Sequence, residues 1–245
     1  MENAYDELAW FYNRHWGLRY HTRIFPVISS LLLSRIPACS SILDLCCGTG
    51  HLSEKLARHN YRVTGIDISE RMLAFARQRS PDGVFLRADA RNLQMTDDFD
   101  AAVSTFESIN HMLSITDISM AFRSVHMSLR KGGFFLFDFI TEETYTSEWN
   151  KSSSIVESDN VCIIRGGFDD LTRTARTDIT MFRLKEDWKR TDVTVKQRCY
   201  STEEITVALS VTGFHSIEIH NARRDCGMND ELGVGRYFVL AGKPK

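Results

Sequence analysis

The chain has 245 residues, a net charge of −2 at pH 7 and 43% hydrophobic side chains, enough apolar material for one sizeable core. No apolar run approaches the roughly 18 residues of a membrane span, and the first ten residues, MENAYDELAW, lack the basic start and apolar centre of a signal peptide. A pI of about 6.4 gives no overall positive field to attract nucleic acid. Six cysteines without a C-x-x-C pair indicate no metal site, so we expect a cytoplasmic protein with no membrane partner.

The chain begins with a predicted helical cap and continues with alternating strands and helices. Residues 3–35 are rich in aromatic side chains and are predicted to form one or two helices, the second opened or kinked by Pro26. Residues 41–140 alternate apolar runs with helical patterns, which indicates a parallel sheet with right-handed crossovers. Strands are expected near 41–46, 62–67, 84–87, 100–104 and 133–139, and helices near 51–59, 69–79 and 117–130.

The sequence pattern changes after residue 140. Residues 161–165, 177–184 and 191–200 alternate apolar and polar side chains, as antiparallel strands do. A helix is predicted at 202–212. We expect residues 141–200 to form an antiparallel insert, either a lid over the site or a ribbon that pairs two chains in a homodimer.

The most specific signal lies between residues 41 and 67. An apolar run that contains Asp44 ends at Gly48-Thr49-Gly50, a helical pattern follows, and a second apolar run ends at Asp67. This is half of a nucleotide-binding sheet, in which the glycines let the backbone approach a ligand and Asp67 can accept hydrogen bonds from two ribose hydroxyls. The alternative is a structural glycine turn followed by a capped helix.

The spacing within this segment narrows the choice of nucleoside. A dinucleotide fingerprint needs a third glycine where Ser53 stands, and a P-loop needs Gly-Lys where His51-Leu52 stands. Asp44 is expected to face the ligand crevice, where a carboxylate repels pyrophosphate and suits a cationic ligand. The predicted ligand has a ribose, no phosphate and a positive charge, and S-adenosylmethionine (SAM) meets all three conditions.

Five short segments resemble the motifs of the class I SAM-dependent methyltransferases, in the order and spacing of that family. They are Leu43–Gly50, Gly65–Ser69 with Met72 behind it, Arg87–Ala90, Phe99–Val103 and Leu129–Gly133. Residues 214–220 and 236–241 resemble the family's final antiparallel hairpin. The resemblance covers residues 37–140 well and the flanks weakly.

The resemblance implies an α/β fold with a Rossmann-like seven-stranded sheet, mostly parallel with the last strand antiparallel. It implies one domain: a helical cap at 1–37, a SAM-binding core at 38–140, the antiparallel β insert at 141–200, and the final helix and hairpin at 201–245. The cofactor contacts that it implies are Tyr12 at the carboxylate of SAM, Asp89 and Ala90 at the adenine, and Asp44, Cys46, Gly48, Gly50, Asp67, Ile68, Met72 and Phe106.

The acceptor is expected at the loop Thr105–Met112, which resembles the loop of small-molecule N-methyltransferases acting on amino sugars and glycine. The amino-sugar enzymes have a histidine facing the substrate amine at the position of His111. We therefore expect His111 to orient the nucleophile and take its proton, the alternative being a helix-end histidine bonded to backbone. Tyr5 is the second catalytic candidate, because the family's N-terminal helix folds over the bound methionine.

Two further residues are candidate substrate contacts. Glu107 either binds a cationic substrate or caps the helix that follows it. Trp16 lies in the aromatic N-terminal segment, where plain packing is the alternative for it and for Tyr5.

The expected function is SAM-dependent methyl transfer to a small molecule, at nitrogen before oxygen or carbon. One alternative is a SAM-using enzyme that cyclises or cleaves the amino-acid part of SAM without methyl transfer. Another is a non-catalytic SAM-binding protein or a nicotinamide-dependent dehydrogenase, which the missing third glycine disfavours. Thr105-Phe106-Glu107-Ser108 stands where base N-methyltransferases carry Asn/Asp-Pro-Pro-Tyr, so no nucleic-acid partner is expected.

Overall fold

The structure is a computed structural model that describes residues 4–245, so the first residues of the predicted helical cap lie outside the described residues. Its strands are β1 (Ser41–Leu45), β2 (Arg62–Asp67), β3 (Val84–Arg87), β4 (Phe99–Ser104), β5 (Leu129–Ile140), β6 (Ser152–Val156), β7 (Asn160–Asp169), β8 (Thr174–Leu184), β9 (Trp188–Arg198), β10 (His215–Asn221) and β11 (Arg236–Gly242). Its α-helices are α1 (Ala4–Phe11), α2 (Gly17–Leu31), α3 (His51–Arg58), α4 (Glu70–Arg79), α5 (Ile115–Ser128), α6 (Glu142–Thr144) and α7 (Thr202–Val211). Turns of π-helix span Tyr12–Trp16 and Tyr145–Trp149, and a 3₁₀ turn spans Ser108–His111.

Seven of these strands form the predicted sheet, in the order β10-β11-β5-β4-β1-β2-β3. Neighbours among β1 to β5 run parallel, and β11 pairs antiparallel with both β5 and β10. The seven-stranded, mostly parallel sheet with an antiparallel final strand is therefore confirmed. This order brings the ends of β1, β2 and β4 together at one edge, where parallel sheets bind ligands.

The sheet is buried on both faces because its strands alternate two apolar sets of side chains. Leu43 and Phe135 pack with Phe122 of α5 on one face. Ile42 and Leu136 pack with the α2 and α3 side chains on the other face. Such burial on both faces explains why Ile42, Leu43 and Leu45 of β1 are all apolar, with Asp44 as the polar exception among them.

The insert forms a separate antiparallel sheet in the order β6-β7-β8-β9. One face of it packs on α1, where Leu8 and Phe11 meet Cys162, Ile179 and Met181. The apolar side chains that alternate along these strands therefore form one face of the sheet, and this face packs on the N-terminal helix. The same packing brings the edge strand β9 alongside α1.

Several predicted boundaries are wrong. The helix predicted at 117–130 is α5 (Ile115–Ser128), and β5 starts at Leu129 rather than 133 because Leu129 already pairs with Phe99. Pro26 lies inside α2 and does not open it. The strand β6 was not predicted, because its three serines are exposed and give no alternation.

Two features that the sequence did not predict are a membrane-spanning helix and a metal site, and the described residues bear on both. In residues 4–245, no helix is long and apolar enough to cross a membrane. No group of three or more His, Cys, Asp or Glu side chains in that range could hold a metal ion. All six cysteines are free thiols.

Gly50 offers a test of how tightly the nucleotide-binding turn packs. Its φ is +76°, and an added Cβ would lie 2.8 Å from the Cβ of Ala76 in α4. Gly227 has a similar φ of +68°, but its added Cβ would meet no described atom within 4 Å. Urea unfolding should therefore show that Gly50→Ala loses about 1–3 kcal/mol more stability than Gly227→Ala. Equal losses would mean that α4 yields freely at this contact.

Candidate active site

A cavity of about 700 Å³ lies at the carboxyl ends of the parallel strands, between the core sheet, α1 and β9. This volume is typical of a small-molecule site. It is lined by these predicted site residues: Tyr5, Tyr12, Cys46, Gly48, Asp67, Ile68, Met72, Asp89, Ala90, Phe106 and His111. The structure therefore brings most of the predicted set to one place, although they come from distant parts of the sequence.

Asp67 lies at the end of β2 with both carboxylate oxygens engaged by backbone. Oδ2 accepts from the Gly48 N–H at 2.9 Å, and Oδ1 accepts from the Ser69 N–H at 2.8 Å. Burial raises the pKa of Asp67 to about 6, and these backbone hydrogen bonds oppose the shift. A carboxylate has about four acceptor positions, so the Asp67 oxygens can also accept from ribose hydroxyls.

Asp44 does not face the crevice, which corrects one expectation. Its side chain is only 2% exposed and lies behind the cavity wall. The Ser53 hydroxyl donates to its Oδ2 at 2.5 Å, so the residue that replaces a third fingerprint glycine holds this carboxylate in place. Burial raises the pKa of Asp44 to about 7, which weakens the argument that its charge repels phosphate. Gly50 also lies outside the lining and packs against α4 instead.

Tyr12 and Phe106 form an aromatic wall of the cavity. Tyr12 is the first residue of the π-helical turn, a local irregularity that is frequent at functional sites. The Tyr12 ring lies 5.8 Å from that of Phe106, and Phe106 stacks on Tyr20 at 4.0 Å between centroids. Phe106 thus continues a packed aromatic column that begins in α2.

Asp89 lines the cavity but is held by a neighbouring arginine. The Arg91 guanidinium contacts both oxygens of Asp89, at 2.7 and 3.0 Å, and reaches Asp117 at 2.8 Å. These hydrogen bonds keep the pKa of Asp89 below its usual range. Asp89 is therefore charged at pH 7 and fixed at the edge of the cavity, and it also accepts the Arg91 N–H in a turn.

His111 and Tyr5 form a hydrogen-bonded pair in the cavity wall. Tyr5 Oη lies 2.7 Å from His111 Nε2. His111 Nδ1 lies 3.1 Å from the Lys196 carbonyl oxygen, and because a carbonyl can only accept, Nδ1 carries the proton. The Tyr5 hydroxyl therefore donates to Nε2. Burial lowers the pKa of His111 to about 4, although the bond to Lys196 opposes the shift, so the imidazole is neutral at pH 7.

Glu107 is not a free carboxylate for a cationic substrate. It lies behind the cavity wall, where its Oε2 is 2.7 Å from Nη2 of Arg236 in β11. Its side chain does not cap the 3₁₀ turn that follows, so neither expected role is present. The cation that Glu107 meets comes from the far end of the chain, which sequence spacing could not reveal.

Trp16 is also placed elsewhere. It packs with the hydrophobic cluster between α1 and the insert sheet and lies outside the cavity lining. The packing alternative therefore describes its position. Three residues of β9, Thr194, Val195 and Lys196, also line the cavity. The sequence predicted this strand and offered a lid as one role for the insert, but it did not single out these three residues.

Comparison with known proteins identifies the fold and the family. The family profile "Methyltransferase domain" matches residues 42–133. The putative methyltransferase YqeM of Bacillus subtilis is 33% identical over 219 residues, covering 86% of this chain and 87% of that protein. The chain belongs to the SAM-dependent methyltransferases. An N,N-dimethyltransferase of dTDP-3-amino-3,4,6-trideoxy-alpha-D-glucopyranose from Streptomyces venezuelae is 32% identical over 139 residues, 56% of this chain and 58% of that protein.

Solved structures show that this methyltransferase has the family fold over its whole length. Streptomyces venezuelae DesVI superposes with a TM-score of 0.78 at 20% identity, covering 100% of both chains. A SAM-dependent methyltransferase from Clostridium acetobutylicum superposes with a TM-score of 0.79 at 21% identity, covering 99% of this chain and 100% of that one.

The cavity of this methyltransferase fits SAM, its cofactor. The Asp67 carboxylate can accept from a ribose diol, and Ile68, Met72 and Ala90 supply apolar walls for a base. Gly48 adjoins Asp67 through its N–H, and the Tyr12 ring lies next to Gly48. A carboxylate with aromatic walls also suits a sulfonium cation.

Asp67→Asn tests the ribose contact while keeping the shape of the side chain. Loss of a charge-assisted hydrogen bond should weaken SAM binding by about 1.5–3 kcal/mol in calorimetry. Asp97→Asn is the matched control, because Asp97 is an exposed acid paired with Lys243 and should leave affinity unchanged. Wild-type affinity in a folded Asp67→Asn protein would contradict the assignment.

The raised pKa of Asp67, about 6, predicts a pH effect of definite sign. Ribose recognition uses the charged carboxylate, so SAM affinity should be level above pH 7 and fall as the pH drops through 6. The dissociation constant should rise by about 10-fold between pH 7.5 and 5. Calorimetry across this range should show a flatter profile for Asp67→Asn, and parallel profiles would point to another titrating group.

Proposed function

We propose that this methyltransferase transfers the methyl group of SAM to the nitrogen of a small-molecule amine. The observation that carries the proposal is the Tyr5–His111 pair, which lines the same cavity as Asp67. The volume of the cavity suits a small acceptor beside the cofactor. The similarity to an amino-sugar N,N-dimethyltransferase supports nitrogen as the acceptor atom.

The pair can hold an amine in its reactive form. SAM supplies an electrophilic methyl group when bound. The Tyr5 hydroxyl donates to His111 Nε2, and because a hydroxyl oxygen has two acceptor positions, Oη can also accept an N–H from the substrate. An amine held by its N–H has its own lone pair directed elsewhere, so the enzyme can align that lone pair with the methyl group. Such positioning can supply roughly 7–11 kcal/mol of the rate enhancement.

The protonation states of the two residues suit this role. Burial, followed by the Glu107 and Asp67 charges, raises the pKa of Tyr5, so the phenol stays protonated. Burial keeps His111 neutral. After transfer, the product nitrogen carries the positive charge and an extra proton. The product leaves as an ammonium ion and gives this proton to water, so His111 acts by keeping the Tyr5 hydroxyl in place.

The assignment of cofactor contacts belongs to the same proposal. We assign the ribose to Asp67, the adenine to Asp89, Ala90 and Ile68, and the methionine part to Tyr12 and Gly48, with Cys46, Met72 and Phe106 as walls. Residues 141–200, whose β9 meets His111, act in this proposal as a lid. Asp44, Glu107 and Trp16 are not part of the assignment because they lie outside the lining.

His111→Ala and Tyr5→Phe test the pair. Each should lower kcat by about 10²-fold or more, with SAM affinity within about twofold of wild type because neither side chain is assigned to the cofactor. His215→Ala, an exposed histidine on β10, is the matched control. The measurement is S-adenosylhomocysteine formation with a panel of small amines that includes nucleotide-linked amino sugars.

Two outcomes would contradict the proposal. Full activity in both variants would remove the pair from the reaction. Methylthioadenosine in place of S-adenosylhomocysteine, detected by mass spectrometry after incubation with SAM, would replace methyl transfer with cleavage of SAM itself.

A further inference from the structure

The insert strand β9 contacts His111 at both ring nitrogens. The Lys196 carbonyl accepts from Nδ1, and the next residue, Gln197, places its side-chain nitrogen 3.2 Å from Nε2. The acceptor loop thus contributes the imidazole, and the insert contributes the groups that surround it. Nothing in the sequence motifs of the core points to Gln197.

The orientation of the Gln197 amide follows from both of its partners, and one of them, His111 Nε2, is an acceptor because Nδ1 donates to the Lys196 carbonyl. Tyr145, in the π-helical turn after α6, has its hydroxyl 3.4 Å from Gln197 Oε1 and donates to it. The amide nitrogen therefore faces His111 and donates to Nε2. Gln197 is only 4% exposed, so water cannot readily replace either partner, and turning the amide would set its oxygen against the Nε2 lone pair.

Two donors therefore share the lone pair of Nε2, the Tyr5 hydroxyl and the Gln197 amide. A proton on Nε2 would turn that nitrogen into a donor facing the Gln197 N–H. The hydroxyl of Tyr5 can rotate to accept from it, whereas the buried amide of Gln197 would have to turn over and lose the hydrogen bond that Tyr145 donates to Oε1. The amide thus favours the unprotonated Nε2, as hydrogen bonding to the neutral form does in general.

We propose that Gln197 is a positioning residue that keeps Nε2 of His111 an unprotonated acceptor, so that the Tyr5 hydroxyl donates to it and presents its oxygen to the acceptor amine. The proposal rests on the role of the Tyr5–His111 pair in the proposed function. The Lys196 carbonyl selects which nitrogen carries the proton, and Gln197 opposes a second proton. The insert sheet therefore acts on the reaction through His111.

Other ionisable groups around the pair do not supply this effect. The α1 helix contributes the Tyr5 phenol, and the π-helical turn contributes the Tyr145 phenol, whose pKa values burial raises. The Lys196 side chain is exposed at the cavity, while its carbonyl makes the contact. The carboxylates whose charges reach Tyr5 are Glu107, which is paired with Arg236, and Asp67. Negative charge nearby favours a protonated imidazole in general, so in this proposal the neutral state depends on burial and on Gln197.

The decisive experiment is an NMR titration of the His111 ring in three full-length proteins. In Gln197→Glu, a carboxylate replaces the donor beside Nε2, and the titration midpoint should rise by about 1–3 pH units. In Gln197→Met, loss of the donor should move the midpoint in the same direction by less. Gln78→Glu is the matched control, because Gln78 is exposed on α4 and adds the same charge far from the ring; its midpoint should equal that of wild type.

Turnover gives the second readout. Gln197→Met should lower kcat by about 10-fold, the effect expected when a group that holds a reacting side chain is removed, with SAM affinity unchanged. The acid limb of the pH–rate profile should shift upward in Gln197→Glu together with the NMR midpoint. A His111 midpoint in Gln197→Glu that equals the Gln78→Glu control would overturn the inference.

The two proposals fail in different ways. If His111→Ala and Tyr5→Phe keep full activity, the proposed function of the pair is wrong, whatever the midpoint shows. If those variants lose activity but Gln197→Met keeps both the wild-type midpoint and the wild-type kcat, only the role of Gln197 is wrong. A Gln197→Glu protein that fails to fold leaves Gln197→Met, which is uncharged and of similar volume, to decide between these results.

Discussion

The buried guanidinium of Arg236 joins four parts of this methyltransferase. It reaches Asp138 in β5, Glu107 in the acceptor loop and the Tyr20 hydroxyl of α2 from its own position in β11. Arg236 is only 4% exposed, so its charge is neutralised by these partners rather than by water. Removal of one member of such a cluster leaves an uncompensated buried charge, which is strongly unfavourable. The cluster therefore fixes how the last strand, the fifth strand and the acceptor loop sit together.

The acceptor loop needs this support because its backbone is strained. Phe106 and Glu107 both have positive φ, 65° and 46°, a conformation that costs of order 1–3 kcal/mol per residue outside glycine. The ion pair of Glu107 and the stacking of Phe106 on Tyr20 hold the two residues in it. The result is that Phe106 faces the cavity and Glu107 faces away from it. His111 follows one short turn later and meets Tyr5 and β9 as a consequence of this geometry.

Much of the cavity around Gly48 and Asp67 could be predicted from the sequence, because it is local. The glycine turn and the acid at the end of β2 lie within one strand–turn–helix–strand unit, and parallel strands must bring Gly48 and Asp67 to the same edge. Burial of Asp44 was not predictable in the same way, since the period of a strand tells which face a side chain takes but not whether Ser53 will cover it. The exposed serines of β6 also gave no pattern that predicts a strand, because β6 pairs with β7 through its backbone.

The acceptor half depends on contacts between residues far apart in the chain. Tyr5 and His111 are separated by 106 positions, Glu107 meets a cation from β11, and β9 approaches His111 because the insert packs on α1. The sequence by itself determined the core sheet, the order of its helices and strands along the chain, and the cavity edge at Gly48 and Asp67, because hydrophobic period and turn chemistry act over short spans. Only the tertiary structure decided which acids line the cavity and which side chains surround His111, because long-range burial and ion pairing set both.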